Sequence, residues 1–316
     1  MSILIWNVNY NTFGNPFLPC FFLSVATFLI IFTPFEIYFT FRDFWFERWG
    51  PIDIEDVQIT KIKVEVEKTK RKRKDLAALL IESKNVKKTQ QLNSIIIIAH
   101  GFSDTKESLQ NFYLPFVRLG YSIFIYDARG TGNSKQVGSR GDFLSRINDF
   151  KIIVNWINKD PVLQQKRIFS IGFSIGALTV LSGGFSDERI EKIIAISAIS
   201  NYRKNLPRYN IIALLSYLFK GVKLLPKKSE NEKISPLFQI KKVKNRSNDE
   251  KWQHLSKRVL LVHSRNDRII KLKNFIENRD VLDLPHTNQL ILNKGGHNLK
   301  KNELILQGAS IKFLMN

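Results

Sequence analysis

The pentapeptide Gly172-Phe173-Ser174-Ile175-Gly176 stands between an apolar, β-favouring run (Arg167-Ile168-Phe169-Ser170-Ile171) and a helix-favouring one (Ala177-Leu178-Thr179-Val180-Leu181). A strand that turns directly into a helix leaves the residue at the bend in a strained backbone conformation. Glycines on either side of that residue are needed because larger side chains would collide with the strand or helix alongside. The sequence therefore predicts a tight strand-to-helix turn with the Ser174 hydroxyl exposed at a helix N-terminus.

So short a pattern needs partners in a definite order before it implies chemistry. Downstream, Arg258-Val259-Leu260-Leu261-Val262-His263 reads as a buried strand, and Ser264-Arg265-Asn266-Asp267 places a carboxylate on the loop beyond it. Gln289-Leu290-Ile291-Leu292-Asn293 reads as a last short strand, followed by Lys294-Gly295-Gly296-His297, in which two glycines free a loop to turn an imidazole inward. Taken singly, these three would be a turn serine, a helix cap and a surface histidine. Taken together, each just beyond a strand, Ser174, Asp267 and His297 stand in the order of nucleophile, acid and base of an α/β-hydrolase.

Upstream, Ser94-Ile95-Ile96-Ile97-Ile98-Ala99 is a β-branched run suited to a central strand buried on both faces, and it ends in His100-Gly101-Phe102-Ser103. In an α/β-hydrolase the loop after the third strand and the residue after the nucleophile each supply one backbone N–H to an oxyanion hole. Those donors would be Phe102 and Ile175, with Gly101 permitting close approach and His100 fixing the loop.

The chain at this point resembles the α/β-hydrolase superfamily, in particular its serine aminopeptidase and monoglyceride-lipase-like branch, over residues 57 to 316. A further matching segment, Tyr126-Asp127-Ala128-Arg129-Gly130-Thr131-Gly132-Asn133-Ser134, looks like the family's D-x-R-G-x-G-x-S turn after the fourth strand. The resemblance makes that turn structural, so Asp127 is not assigned as the acid. Some relatives take their acid after the sixth strand, but here Ser200-Asn201 offers no carboxylate, which leaves Asp267.

Strands are predicted near 57–64, 76–81, 95–99, 121–127, 167–173, 192–198, 258–263 and 289–293, with a basic hairpin over Lys68 to Lys74 joining the first two. Helix-like stretches fall near 106–119, 142–158, 175–183, 270–279 and 299–314. This alternation implies a mostly parallel eight-stranded sheet with helices on both faces and the candidate residues at the carboxyl ends of the strands. The alternation breaks at about 201–257, too long a stretch for a simple connection, and a helical cap or lid is expected there. Within it Ile211, Ile212, Leu214, Leu215, Leu218, Phe219 and Val222 recur at helical spacing. Ile211, Leu215, Leu218 and Phe219 are the candidate lining of an acyl pocket, although such a stripe equally suits packing on the helix's own domain. Lys227, Lys228, Lys233, Lys241, Lys242, Lys244 and Arg246 make the outer side of this stretch positive.

The N-terminus reads differently. No aspartate, glutamate, lysine, arginine or histidine precedes Glu36, and Phe17 to Phe32 is almost entirely apolar. Seventeen residues from Phe17 to Thr33 would make a helix of about 25 Å against a hydrocarbon core of about 30 Å, so a span would enlist residues up to Phe41. The aromatic stretch Phe35 to Trp49, interleaved with Arg42, Asp43, Glu47 and Arg48, resembles an interfacial belt. Residues 1–49 are thus expected to form a membrane helix and its interfacial segment, and 50–316 the hydrolase domain. A signal peptide would want a basic leading region and a small-residue cleavage site, which are not evident, while Pro16, Pro19 and Pro34 leave a hairpin in one leaflet open. Lysine and arginine are plentiful only after the apolar run, which by the positive-inside rule places the hydrolase domain on the cytoplasmic side. The single cysteine, Cys20, excludes an intrachain disulfide.

A chain of 316 residues with 44% apolar content can bury one large core, and no internal repeat or low-complexity tract interrupts it. The net charge of +21 suits an anionic surface, and beside a membrane segment acidic lipid is a simpler partner than nucleic acid, for which no recognition module is found. A lysine-rich proteome would give the same surplus. The five histidines (His100, His254, His263, His286 and His297) lack metal-ligand spacing, and Gly130-Thr131-Gly132 lacks the flanks of a phosphate loop, so no metal and no cofactor are expected. The resemblance implies a serine hydrolase, and the N-terminal anchor and the apolar stripe of the cap point to a membrane-anchored one acting on carboxylic esters with lipid-like acyl groups. A peptidase, amidase or thioesterase of the same fold is the alternative within the class, and a non-catalytic membrane-bound binding protein the alternative outside it.

Overall fold

The computed structural model describes residues 21–34, 55–68, 73–84, 93–206, 217–218 and 220–316. The chain divides into two compact units, Met1–Gly50 and Pro51–Asn316. In the first, residues 21–34 form helix α1, on which Phe22, Leu29 and Ile30 are exposed. Fourteen residues rise about 21 Å, and among the described residues no helix is long and apolar enough to cross a membrane. The expected extension of this helix toward Phe17 and Phe41, Cys20 and the aromatic stretch from Phe35 to Trp49 lie outside the described residues.

The second unit is built on one sheet of eight strands: β1 (Val57–Lys68), β2 (Arg73–Ser83), β3 (Ser94–Ala99), β4 (Ser122–Tyr126), β5 (Arg167–Phe173), β6 (Ile190–Ile196), β7 (Val259–Ser264) and β8 (Gln289–Leu292). Their order is β1-β2-β4-β3-β5-β6-β7-β8. β1 with β2 and β2 with β4 are antiparallel, and every pairing from β4 to β8 is parallel. β3, β4 and β7 are buried along their whole length, which requires cover on both faces and accounts for their continuous Ile, Val and Leu content.

The helices supply that cover. α2 (Gln110–Arg118) packs on α10 (Glu303–Met315), while α3 (Phe143–Ile157), α4 (Ile175–Gly184), α7 (Pro236–Lys244) and α9 (Lys273–Leu282) form a contiguous layer. The chain leaves β3 for β4 on one side and later enters β5 on the other. The loops after β3 and β5 therefore emerge side by side at the topological switch point, where open parallel sheets form their crevice.

Three features depart from the sequence-based expectation. β1 runs on to Lys68 and β2 begins at Arg73, so part of the expected hairpin loop is strand. The basic residues there are neutralised by acidic ones: Arg73 by Glu65 and Asp75 at 3.0 and 2.6 Å, and Lys74 by Glu67 at 2.7 Å. The helix expected from residue 270 starts only at Lys273, because the Asp267 carboxylate accepts the Ile269 and Ile270 N–H groups at 2.8 Å each and holds that stretch as a loop.

The third concerns the stretch expected as a cap, which contains α5 (Tyr202–Asn205), α6 (Lys228–Ile234), α7 and α8 (Asp249–Lys257). Its second half is no detached lid. Ile240 on α7 and Trp252 and Leu255 on α8 belong to the main hydrophobic core, and α8 leads straight into β7. The lysine-rich helices thus contribute an apolar face to the core and leave their ammonium groups outside. A smaller cluster, including Phe143, Ile175, Leu178, Tyr202, Val222 and Ile234, roots the first half, with Phe102 and Tyr217 packed against it.

Candidate active site

Ser174 occupies the turn between β5 and α4 at φ 54°, ψ −111°, a conformation side chains rarely adopt. The surrounding structure imposes it. Ser174 N donates to Ile196 O at 2.8 Å, and Leu178 N donates to Ser174 O at 3.0 Å, pinning the turn to β6 and to α4. A Cβ on Gly172 would lie 2.4 Å from Gly176 O, and one on Gly176 only 1.9 Å from Ala99 O. Both glycines are therefore set by close approach of backbone to backbone, and the second brings α4 against the end of β3.

His297 bridges the other two residues. Its Nε2 stands 3.0 Å from Ser174 Oγ, and its Nδ1 stands 2.8 Å from Asp267 Oδ2. With Asp267 ionised, Nδ1 carries the proton and Nε2 is left to accept from the serine hydroxyl. Asp267 is 5% exposed. Burial pushes its pKa up, but the hydrogen bond and charge of His297, the Ile270 N–H and the charge of His263 outweigh that and hold it below the ordinary carboxylate value.

The acid and base loops are tied together by Asn266, whose Oδ1 accepts from Ser264 Oγ at 2.7 Å and from Gly296 N at 2.8 Å. His263, buried at the end of β7, donates from Nε2 to Ile270 O at 2.8 Å and braces the turn that carries Asp267. Gly295 and Gly296 take φ of 119° and 62°, the backbone freedom that brings His297 inward. Neither Asn266 nor His263 was singled out from sequence, since an amide between Arg265 and Asp267 carries no signal until the second loop is beside it.

The loop after β3 is equally constrained. His100 is buried, donates from Nδ1 to Gly101 O at 2.7 Å and accepts the Ala128 N–H at Nε2 at 2.9 Å, so both ring nitrogens serve the backbone. Burial, with the Arg146 charge adding to it, depresses its pKa to about 4, and the ring is neutral at pH 7. Gly101 N donates to Asp104 Oδ2 at 3.1 Å. Among the described residues the N–H groups of Phe102 and Ile175 have no partner, leaving them free to donate. The Phe102 ring is held edge-on by Phe143 and by Tyr217, at centroid distances of 5.9 and 5.6 Å.

Asp127 is far from solvent and fully engaged: it accepts from Lys106 N and Nζ at 2.9 and 2.6 Å and from Asn133 N at 2.8 Å. It closes the turn after β4 and takes no part in the Ser174 constellation. Of the candidate pocket residues, Leu218 is 55% exposed, whereas Ile211, Leu215 and Phe219 lie outside the described residues. Among the described residues no group of histidine, cysteine, aspartate and glutamate side chains could hold a metal ion.

The sequence profile of the serine aminopeptidase S33 family matches residues 90–254, just over half of the chain. The chain belongs to that family. The matched stretch holds Phe102, Ser174 and Ile175 and stops before Asp267 and His297, whose pairing with Ser174 rests on the distances above. An uncharacterized 31.7 kDa protein of Escherichia coli is 29% identical over 114 residues, 34% of this chain and 38% of its own length. A polyketide transferase of Aspergillus fumigatus is 27% identical over 123 residues, 38% of this chain and 42% of its own. The chain thus spans about two fifths of the length of the curated relatives it matches.

Among solved structures, an esterase of Pyrococcus furiosus superposes with a TM-score of 0.59 at 18% identity, covering 84% of this chain and 94% of the esterase. An acylaminoacyl peptidase of Pyrococcus horikoshii gives 0.55 at 16% identity, covering 83% of this chain and 41% of that enzyme. At these identities the likeness is one of fold: the α/β-hydrolase fold, which in this family carries serine-hydrolase-type hydrolases.

Proposed function

We propose that this chain is a serine hydrolase that cleaves carboxylic esters with lipid-like acyl groups through a covalent acyl-enzyme. The observation that carries the reading is the unbroken sequence Ser174 Oγ, His297 Nε2, His297 Nδ1 and Asp267 Oδ2, at 3.0 and 2.8 Å, with the serine on a turn that exposes its hydroxyl. His297 takes the hydroxyl proton as Ser174 Oγ bonds to the substrate carbonyl carbon, and the electron pair of the C=O moves onto oxygen. Asp267 keeps the imidazole in the productive tautomer and stabilises the imidazolium. The Phe102 and Ile175 N–H groups meet the oxyanion, and His297 returns the proton to the departing alcohol. Water then repeats the same steps on the acyl-serine and releases the acid. Peptides and thioesters pass through the same intermediate, and the family's aminopeptidase description makes an amide substrate the alternative.

Residues 1–49 are proposed to attach the chain to a membrane, with the hydrolase unit on the cytoplasmic side and the +21 surplus drawn to anionic lipid. The apolar surface of α1 and the basic composition support this part of the reading. Retention of the chain in membranes after alkaline carbonate extraction is its check.

Reaction of the detergent-solubilised chain with a fluorophosphonate probe tests the chemistry. The native chain labels, and Ser174→Ala and His297→Ala do not, the serine variant losing on the order of 10⁶ in turnover. A folded native chain that stayed unlabelled with the cap relaxed by detergent would favour the binding-protein reading.

A further inference from the structure

Of the four buried cations among the described residues, Arg129 and Lys106 are neutralised by carboxylates at short range, and Arg258 is held by the carbonyls of Phe185, Asp187 and Ile190. Arg129 holds Asp149 with two hydrogen bonds of 2.6 and 2.8 Å and Glu67 with a third of 3.0 Å. Lys106 meets Asp127 at 2.6 Å. Around the loop that follows β3 the pattern changes.

Three cations converge there without a carboxylate within ion-pair distance among the described residues: Arg140, Arg146 and Lys220. The Lys220 ammonium stands 5.2 Å from the centre of the Phe102 ring, on the residue whose N–H is the proposed oxyanion donor. Among the described residues Arg140 reaches only Gly130 O, from Nε at 3.4 Å. Arg146 is 3% exposed, touches His100 O from Nη2 at 3.5 Å, and its Nη1 has no hydrogen-bond partner. The carboxylates near enough to act on these groups are Asp104, buried and accepting from Gly101 N, and Asp149, already engaged by Arg129.

Cations left half-buried and unpaired are unfavourable, because desolvation is not repaid by a counter-charge. A ring face recovers part of it for Lys220, but the guanidinium groups have no such relief. Burial lowers the pKa of Arg140 and of Lys220, the latter also by the Arg140 charge, and lowers that of Arg146 to about 10. An arrangement of this kind persists where an anion supplied from outside completes it. The lysines beside the acid loop, Lys204, Lys271 and Lys273, are exposed and need no such explanation.

We propose that Arg140 and Lys220, backed by the buried Arg146, form an anion subsite on the rim of the oxyanion loop, and that the substrate is an ester bearing an oxyanionic group, carboxylate or phosphate. The proposal rests on the serine-hydrolase reading and narrows its substrate class. It also gives the first half of the cap a role: Lys220 is held in place by its own carbonyl, which accepts from Gly141 N at 3.0 Å and Ser139 Oγ at 2.9 Å, so it arrives at Phe102 only when that segment is docked.

The test compares 4-nitrophenyl hexanoate and octanoate with the 4-nitrophenyl monoesters of adipic and suberic acid, matched in carbon number but ending in carboxylate in place of methyl. The native chain in detergent is expected to favour the acidic ester by about tenfold in kcat/KM at low ionic strength, a preference that shrinks as salt is raised. Lys220→Met and Arg140→Gln each reduce that ratio by about fivefold or more. A ratio that stays unchanged in both variants, or a parallel loss on both esters, overturns the subsite and reduces Lys220 to packing on Phe102. Binding is read separately by calorimetry on Ser174→Ala with adipate and with inorganic phosphate. Saturable binding of either, weakened by adding Lys220→Met, supports the site and names its acid, and binding of neither overturns it. A native chain that fails to label with fluorophosphonate defeats the hydrolase reading alone, since the calorimetry still decides the subsite.

Discussion

The two halves of the Ser174 constellation are held in different ways. On the nucleophile side, position follows from backbone packed against backbone: β5 beside β3, α4 against the end of β3, and a serine whose strained dihedrals are fixed by its neighbours. On the base side, His297 sits on a loop with four residues at positive φ nearby (Gly295, Gly296, Leu299 and Lys301), tied mainly by the side chains of Asn266 and Asp267. One side leaves no room for change, and the other is adjustable. The proposed hydrolysis needs both, because its nucleophile must stay fixed while the imidazole shuttles a proton between two partners.

The sharpest way to break that comparison is Gly176→Ala. Gly176 has no unusual φ, so the whole penalty is steric, and the added Cβ would meet the Ala99 and His100 carbonyls, which are backbone and cannot swing aside. A loss of more than about 4 kcal/mol is expected, at the exceptional end for one methyl group. Urea unfolding followed by circular dichroism measures it. A loss under about 1 kcal/mol would mean that α4 and β3 separate easily, and the rigidity ascribed to the nucleophile side would be wrong.

Acid sharpens the comparison. The loop after β3 depends on a neutral imidazole, whereas the base side depends on an ionised carboxylate together with the buried imidazole of His263. His100 has its folded pKa depressed from 6.5 to about 4, so the unfolded chain binds the extra proton first. Its contribution is complete above 6.5 and drains away as pH falls toward 4, by about 3 kcal/mol in all. Asp267, depressed from 3.8, begins to lose its contribution only below that range. His263, which braces the acid turn, is depressed by burial as well, so the base side also weakens in this window, and a His100 substitution isolates the share that belongs to the loop after β3. Thermal unfolding between pH 7 and pH 4.5 should show a falling Tm, with a shallower slope in His100→Gln, and an unchanged slope would remove His100 as the acid-sensitive group.

What could be read from sequence follows the same division. The nucleophile side was legible because its constraints are local: an apolar strand, two glycines around one serine and a helix-forming run lie within the fifteen residues from Arg167 to Leu181. The order of Asp267 and His297 was legible for a similar reason, each being just beyond a strand. The contributions of Asn266 and His263 were not, since each acts across a gap that only the assembled loops close. Charge misled in two places. The lysines of α7 and α8 masked Ile240, Trp252 and Leu255, which join the main core, and the basic hairpin masked a strand whose Arg73 and Lys74 face Glu65 and Glu67. The trio of Arg140, Arg146 and Lys220 was invisible in a chain with 49 lysines and arginines, because only the fold shows that these three have no carboxylate within ion-pair distance among the described residues.

The smallest expected effect belongs to Gly296→Ala, and it is the other arm of the comparison. A Cβ at Gly296 meets nothing within 4 Å, so steric room is not at issue, and only the φ of 62° disfavours a side chain. That conformational penalty is about 1 kcal/mol. The Gly296 N–H keeps its bond to Asn266, so His297 should be displaced slightly and not lost, with kcat reduced by about tenfold at most. Measured beside Gly176→Ala, the pair isolates backbone conformation from backbone crowding. Equal losses in the two variants would show that the base loop is as tightly determined as the elbow, and the adjustable character of His297 would have to be abandoned.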